Sequence, residues 1–265
     1  MGLTRVAVYR RGVPASLERV WENVLDWEHL PWLHRGTFSS IECAEAGDWG
    51  WRARVGLQPA DCGRSALIEL RLEPALRRYG VRTLEGTGEG TEIWTRLEPV
   101  AAERTDVEVE FLVPGVAPES ADALGRAYTG LYTRLWDEDE AMMRRRSLLL
   151  VRRGAVAGRS RSLDLGPEDE LRARLPVVVE GNGQAFRIVS LNGELVAHAT
   201  GCPHALGPLD CAELEDGWIR CPWHGYRFDL RTGRCADARR LRLPPAPQVE
   251  VDPTTSRASL HFARR

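Results

Sequence analysis

The first half of the chain shows a strand-like pattern between two helical ones. From residue 38 to residue 113, apolar and polar residues alternate in short runs separated by glycines, which favours an antiparallel sheet of hairpins. A short alternating run at residues 6–9 and a helix from residue 16 precede this region, and a long helix from Pro118 to about Leu150 follows it. The apolar face of the first helix consists of Leu17, Val20, Trp21, Val24 and Leu25.

Short alternating runs return after residue 176, and they predict a small all-β domain. Asn192-Gly193 and Thr232-Gly233 mark tight turns between these runs. Between the two regions, residues 151–175 hold few apolar side chains and several arginines and acids, which indicates a linker. The pattern therefore predicts an α+β domain over residues 1–150, a linker over 151–175 and a β domain over 176–265.

Composition places the chain among ordinary globular proteins. Its 265 residues are 43% hydrophobic and carry a net charge of −2, which argues against a general nucleic-acid binder. No apolar run approaches the roughly 18 residues of a membrane span, and the first 13 residues lack an apolar signal core, so we expect a cytoplasmic protein. The six cysteines form no recognisable disulfide framework, and four are expected to be plain thiols. These four are Cys43, Cys62, Cys211 and Cys235.

Two short stretches of the second domain each supply one cysteine and one histidine. They are C-x-H at Cys202 and His204, and C-x-x-H at Cys221 and His224. A Cys₂His₂ set can hold either zinc or a [2Fe–2S] cluster with both histidines on one iron. Zinc fingers pair like with like, whereas each stretch here carries one of each residue, which favours the asymmetric cluster. A zinc site or a coincidental grouping are the alternatives.

The full string, CPH followed by CPWHGYRFD, resembles the Rieske signature. Respiratory-type Rieske centres resemble C-P-C-H-G-S-x-Y, which adds a loop disulfide and two hydroxyl donors to the cluster. This chain has Trp223, Tyr226 and Phe228 at those three positions. Since hydrogen bonds to the cluster sulfurs raise its potential, the resemblance implies a low-potential centre of the ferredoxin or oxygenase type.

A second candidate site lies near the end of the first helix, where the string D-x-x-H-x4-H places Asp26, His29 and His34. Five residues along an unbroken helix would turn the second imidazole about 140° from the first. We expect Pro31 to break the helix near Leu30, so that both imidazoles can face one cavity. Taken alone, the two histidines could equally be polar edges of two packed helices.

Beside a Rieske-like motif, this string resembles the iron-binding motif of Rieske non-heme iron oxygenases. The catalytic domain of that family is a helix-grip domain of the START/Bet v 1 type, and the predicted order of elements over residues 1–150 resembles it. The resemblance implies that His29 and His34 bind Fe(II), that a carboxylate of the closing helix completes the triad, and that Asp26 bridges the iron site to the cluster.

The closing helix offers one acid on its apolar side. Stepping 100° per residue, Asp139 falls within the apolar stripe, Glu138 at its edge and Asp137 opposite. A buried carboxylate is costly unless it is paired or binds metal, so Asp139 is the predicted third ligand. Glu138 as ligand and a solvated acidic turn are the alternatives. The stripe consists of Tyr128, Leu131, Tyr132, Leu135, Met142 and Met143.

The resemblance implies an oxygenase that uses O₂, a [2Fe–2S] cluster and mononuclear Fe(II) to hydroxylate or demethylate a small apolar or aromatic substrate. It also implies an external reductase or ferredoxin as electron donor and a homo-oligomer, a trimer in the family. Two departures oppose it: the domain order is reversed, and the catalytic domain is short. Five aromatic residues could line a substrate cavity or could simply pack. They are Trp49, Trp51, Trp94, Tyr128 and Tyr132.

Two rival functions belong to other classes. One is a Rieske ferredoxin-like electron-transfer protein fused to a START-like domain that binds a hydrophobic ligand without mononuclear iron. The other is a regulatory or assembly partner with a vestigial iron site. Iron content separates the oxygenase from the ferredoxin-like protein, because the oxygenase holds three irons per chain and the ferredoxin-like protein two.

Overall fold

The computed structural model describes residues 2–154, 160–237 and 240–262. The chain divides into two compact units between Arg144 and Arg145, within its longest helix. Each unit has a hydrophobic core of its own. Within the described ranges, no helix combines the length and the apolar character needed to cross a lipid bilayer.

The first unit is built on one antiparallel sheet. Its strands are β1 (Leu3–Val13), β2 (Phe38–Gly47), β3 (Gly50–Leu57), β4 (Ser65–Glu73), β5 (Arg78–Gly86), β6 (Glu92–Ala101) and β7 (Arg104–Pro114). From β2 to β7 each strand pairs with the next, and β1 closes the order β1-β7-β6-β5-β4-β3-β2. Alternation decides which face is buried: Val107, Val109 and Phe111 of β7 lie in the core, while Glu108 and Glu110 face away from it.

Three helices complete this unit. They are α1 (Leu17–Leu25), α2 (Leu30–Leu33) and α3 (Pro118–Gly154), and single 3₁₀ turns occur at Trp27–His29, Ala60–Cys62 and Pro74–Leu76. Ser16 caps α1, because its hydroxyl accepts a hydrogen bond from the Arg19 N–H at 3.3 Å.

The helix break lies earlier than the sequence predicts. Helix α1 ends at Leu25 rather than near Leu30, and Asp26 leaves the helical conformation with φ −85° and ψ 77°. Pro31 does not break a helix but lies in the first turn of α2, where its missing N–H costs nothing. One cause is tertiary: the Trp51 indole N–H donates to the Val24 carbonyl at 3.0 Å, occupying an acceptor that the helix would otherwise use.

Helix α3 packs against the apolar face of the sheet. The Phe111 ring stacks on Tyr128 at a centroid distance of 5.1 Å and meets Tyr132 edge-on at 4.8 Å. An antiparallel sheet closed by a long helix is the helix-grip arrangement, so the predicted α+β fold is confirmed. Trp49 and Trp94 are not part of this core, contrary to expectation. Arginine side chains cover their rings instead, with Arg71 over Trp49 at 5.2 Å and Arg78 over Trp94 at 4.7 Å.

The second unit is small and almost entirely β-structure. Its elements are β8 (Ser162–Pro167), α4 (Glu168–Ala173), β9 (Val177–Gly181), β10 (Gln184–Leu191), β11 (Glu194–Ala199), β12 (Leu214–Glu215), β13 (Trp218–Arg220), β14 (Arg227–Asp229), β15 (Gln248–Asp252) and β16 (Arg257–His261). They form three sheets in the orders β11-β10-β9, β12-β13-β14 and β15-β16-β8. Asn192-Gly193 joins β10 to β11 with positive φ at both residues, as a tight hairpin turn requires.

The stretch expected to be a linker, residues 151–175, holds ordered structure. Strand β8 pairs with β16, and Leu165 and Leu171 are buried in the core of the second unit. Each of its two elements spans six residues and offers few apolar side chains, so the composition is that of a solvated tether although the structure is not. Residues 155–159 of the expected linker lie outside the described residues.

Candidate metal centres

Two matching loops of the second unit carry the Cys/His pairs. One follows β11 and begins at Cys202, and the other follows β13 and begins at Cys221. In both loops the cysteine N–H donates to the carbonyl five residues on, and the cysteine carbonyl accepts from the N–H four residues on, at 2.9 to 3.0 Å. The fourth residue after each cysteine, Leu206 and Gly225, has a positive φ of 66° and 70°. The same turn therefore presents each sulfur.

The four side chains converge. Cys202 and Cys221 are fully buried, and a hydrogen bond between their thiols raises the pKa of Cys202 and lowers that of Cys221. The imidazoles of His204 and His224 lie perpendicular with centroids 4.5 Å apart, and His224 also hydrogen-bonds Cys221. Two sulfurs and two imidazoles therefore lie together, as the motif predicts.

Gly207 tests whether these residues fit a cluster. A Cβ at this position would lie 2.5 Å from the Cys221 sulfur, so only glycine lets the first loop approach the second so closely. Thiolates and imidazoles in equal number match a [2Fe–2S] cluster with both histidines on one iron. Gly225, four residues after Cys221, has a different role, since it supplies the left-handed turn of its own loop. Sequence reasoning did not identify Gly207, although its position five residues after Cys202 could have pointed to a role in the same loop.

Aromatic side chains cover the imidazoles. The Tyr226 ring stacks on His224 with an interplanar angle of 15° and meets His204 edge-on at 5.0 Å. Trp223, where respiratory-type centres have a cysteine, is 5% exposed. All six cysteines, Cys202 and Cys221 included, are free thiols in the structure.

The second candidate centre lies in the first unit and joins three elements. His29 ends the 3₁₀ turn after α1, His34 follows α2, and Asp139 comes from the middle of α3. The Nε2 atoms of the two histidines lie 3.5 and 3.2 Å from the Asp139 Oδ1 atom. One ligand atom from each residue lies within 4.8 Å of the others. The break at Asp26, rather than at Pro31, lets both imidazoles turn toward α3.

Burial makes this arrangement chemically unusual. His29, His34 and Asp139 are at most 9% exposed within an apolar core. Burial raises the pKa of Asp139, but the hydrogen bond and charge of His34 outweigh it, and the pKa lies below its ordinary value. Burial lowers the pKa of His34, but Asp139 and Glu138 together raise it above its ordinary value. Two imidazoles and a carboxylate are the donor set of non-heme Fe(II) sites, so the residues fit that metal.

The acidic run at residues 137–140 is not simply a solvated turn. Arg11 binds its first acid at 2.6 Å and its last at 2.5 Å, which ties α3 to β1. His29, His34 and Asp139 are called the trio below. Glu138 contacts the His34 Nδ1 atom at 2.6 Å, on the ring edge away from the trio. Asp139 alone reaches the two Nε2 atoms. The geometry therefore favours Asp139 over Glu138 as the carboxylate of the trio.

Asp26 lies beside the first histidine, and a further residue supports the trio. The Asp26 Oδ2 atom is 3.8 Å from the His29 Nδ1 atom, which is longer than a hydrogen bond. Asn23, which sequence reasoning did not assign, donates from its amide to the Asp139 Oδ1 atom at 3.0 Å and is 7% exposed. Asn23 could have been found from the sequence, because it is a polar residue on the buried side of α1, next to Val20 and Val24.

Comparison with known proteins places the second unit. Residues 162–247 match the model of the Rieske [2Fe-2S] domain. Apoptosis-inducing factor 3 of Homo sapiens is 44% identical over 65 residues, which are 24% of this chain and 11% of that protein. The ferredoxin component of the p-cumate 2,3-dioxygenase system of Pseudomonas putida is 37% identical over 75 residues, 28% of this chain and 59% of that protein.

Among solved structures, the Zhui aromatase/cyclase from Streptomyces sp. R1128 is 19% identical with a TM-score of 0.44, over 53% of this chain and 94% of that one. The curated relatives are matched over part of their length only. The second unit carries the paired Cys/His loops. Residues 162–247 form a Rieske [2Fe–2S] domain.

Proposed function

We propose that the chain is a Rieske non-heme iron oxygenase. Electrons from an external reductase or ferredoxin enter at the cluster of Cys202, His204, Cys221 and His224. O₂ is used at a mononuclear Fe(II) site to hydroxylate or demethylate a small apolar or aromatic compound. The observation that carries the proposal is the convergence of two histidines and an aspartate, buried in the first unit of a chain that also contains a Rieske domain.

In this proposal His29 and His34 bind Fe(II) through Nε2 and Asp139 binds it through a carboxylate oxygen. Such a triad leaves coordination positions open, and the bound iron supplies the activation of O₂. Asp139 is held ionised, because its pKa lies below the ordinary value, and Asn23 fixes its orientation. All three residues are buried among the apolar side chains of the core.

The character of the core supports the proposed substrate class. Phe111, Tyr128 and Tyr132 form an aromatic cluster between the sheet and α3. Burial raises the pKa of Tyr79 and of Tyr132, so both phenols remain protonated, and the charge of Asp139 contributes to both shifts. Apolar rings with neutral phenols suit an uncharged aromatic compound better than a charged one.

Iron content tests the proposal. The purified chain should hold three irons, and Asp139→Ala should hold two while keeping the Rieske EPR and visible spectrum. Asp137→Ala, at the first position of the same acidic run but outside the trio, is the matched control and should keep three. Three irons in Asp139→Ala would show that this carboxylate is not a ligand.

A ferredoxin-like electron-transfer protein with a ligand-binding START-like domain is the second candidate. The 37% identity with the ferredoxin component of a dioxygenase system favours it. This candidate predicts two irons per chain and no substrate-dependent consumption of O₂ when the cluster is reduced. The trimer and the cytoplasmic location implied by the oxygenase resemblance stay predictions, and sedimentation of the native protein tests the first.

A further inference from the structure

Glu138 lies outside the trio but holds one of its members. Its Oε2 atom is 2.6 Å from the His34 Nδ1 atom, while the Nε2 atom of the same ring is 3.2 Å from Asp139. The His34 ring is 4% exposed, and each of its two nitrogens contacts a carboxylate of α3. Two consecutive residues of one helix, Glu138 and Asp139, therefore contact opposite edges of the same imidazole.

This contact selects one form of the ring. A neutral imidazole carries one proton, and the nitrogen without it is the one that can bind a metal. A carboxylate is an acceptor only, so a hydrogen bond from His34 to Glu138 requires the proton to be on Nδ1. Once a metal displaces the proton that Nε2 shares with Asp139, the lone pair of this nitrogen points toward Asp139 and His29. Such outer carboxylates fix the tautomer and raise the basicity of a ligating histidine.

We propose that Glu138 is a positioning residue of the candidate iron site, which keeps His34 in the Nδ1–H form with Nε2 directed at the metal. The inference rests on the proposed function. The contact at His34 Nδ1 is the shorter of the two outer contacts, since the distance from His29 Nδ1 to Asp26 is 3.8 Å.

Cobalt binding tests this role in the full chain with its cluster intact. Co(II) is titrated into protein whose mononuclear site has been emptied with a chelator, and the cluster spectrum reports that the fold survives. Glu138→Leu should raise the Co(II) Kd by about 10- to 100-fold, the usual effect of removing an outer partner of a ligand. Glu138→Gln should raise it less, because the amide oxygen still accepts from Nδ1–H, and this milder variant serves if the leucine variant does not fold.

The matched control is Asp137→Asn, which removes one charge from the same helical turn but contacts Arg11 instead of the site. Its Kd should match that of the wild type. In ¹⁵N-imidazole NMR of the metal-free chain, recorded at a pH at which the ring is neutral, His34 should carry its proton on Nδ1 in the wild type and on Nε2, toward Asp139, in Glu138→Leu. A role in stability alone would not move this signal.

The outcomes separate the two proposals. If the wild type binds Co(II) and Glu138→Leu binds it equally well, the positioning role is wrong and the oxygenase proposal stands. If Glu138→Leu abolishes binding as completely as Asp139→Ala does, Glu138 is a ligand and the positioning role is again wrong. If the wild type binds no Co(II) at all, the proposed function itself fails.

Discussion

Gly207 lies where the first cluster loop approaches the Cys221 sulfur. A Cβ there would lie 2.5 Å from the Cys221 sulfur and 3.2 Å from the Trp223 ring. Gly207→Ala must push the two loops apart, so we expect loss of most of the [2Fe–2S] visible absorption and EPR signal. Gly201→Ala is the control from the same loop, because its Cβ would meet only the Leu206 side chain, at an ordinary 3.7 Å. Full cluster content in Gly207→Ala would contradict the close approach.

His198 predicts a pH dependence of stability in the Rieske unit. Burial and the charge of Arg187 together lower its pKa to about 4, against the opposing effects of the Ala199 carbonyl and Asp210. The unfolded chain therefore binds this proton more readily. The stability contribution is complete above pH 6.5 and falls as the pH drops toward 4, by about 3 kcal/mol in all.

Urea unfolding at pH 7 and pH 5 measures this effect. His198→Gln cannot take up the proton, so its free energy of unfolding should fall less between the two pH values than that of the wild type. The difference between the two proteins in this pH dependence is the readout, because the substitution can also lower stability at both pH values. If the free energy of unfolding falls equally with pH in the wild type and in the variant, the pH dependence comes from groups other than His198.

At the scale of elements, the sequence predicts regular structure well and its interruptions poorly. The 3.6-residue period is visible in α3 between Tyr128 and Met143, which is why Asp139 could be placed on its buried side from sequence alone. The break after α1 was misplaced, because the Trp51 indole that occupies the Val24 carbonyl comes from a distant strand. Likewise β8 was missed, because its partner β16 lies almost one hundred residues later.

The attachment of α3 to β1 gives a prediction at this scale. Arg11 is 20% exposed and joins Asp137 and Glu140, so Arg11→Met should lower the free energy of unfolding by about 1 to 2 kcal/mol. Arg10→Met, at the neighbouring position, is the control, because Arg10 is 70% exposed and its ion pair with Glu108 is worth less than about 1 kcal/mol. Urea denaturation of both variants makes the comparison, and an equal loss would show that the Arg11 pairs contribute no more than a surface pair.

At the scale of the whole molecule, one chain contains a Rieske domain and, upstream of it, a candidate iron site. Both sets of residues could be predicted from sequence. Apart from Asp139, the candidate ligands lie close together in the chain, at spacings that are typical of such sites. The route of an electron between them is not local. It depends on which surfaces meet, within a chain or between chains, and no spacing in the sequence encodes that. The reversed domain order makes the arrangement of the oxygenase family an expectation here.

Asp26 offers the sharpest test of such a route. Its carboxylate lies 3.8 Å from the outer ring nitrogen of His29, and 22% of its side chain is exposed. The resemblance to Rieske oxygenases implies that this carboxylate bridges to a cluster histidine, His204 or His224, whose ring can donate a hydrogen bond from the side away from its iron.

Asp26→Asn keeps the size of the side chain but removes the charge that strengthens such a bridge. The variant should assemble both metal centres, and its cluster should still be reducible. Single-turnover reoxidation of the reduced cluster by O₂, with substrate present, should slow by orders of magnitude, because the electron loses its hydrogen-bonded path to the iron. The neighbouring substitution Glu28→Gln, which also removes one acidic charge from this segment, is the control and should leave the rate unchanged. If Asp26→Asn reoxidises as fast as the wild type, this carboxylate does not connect the two centres.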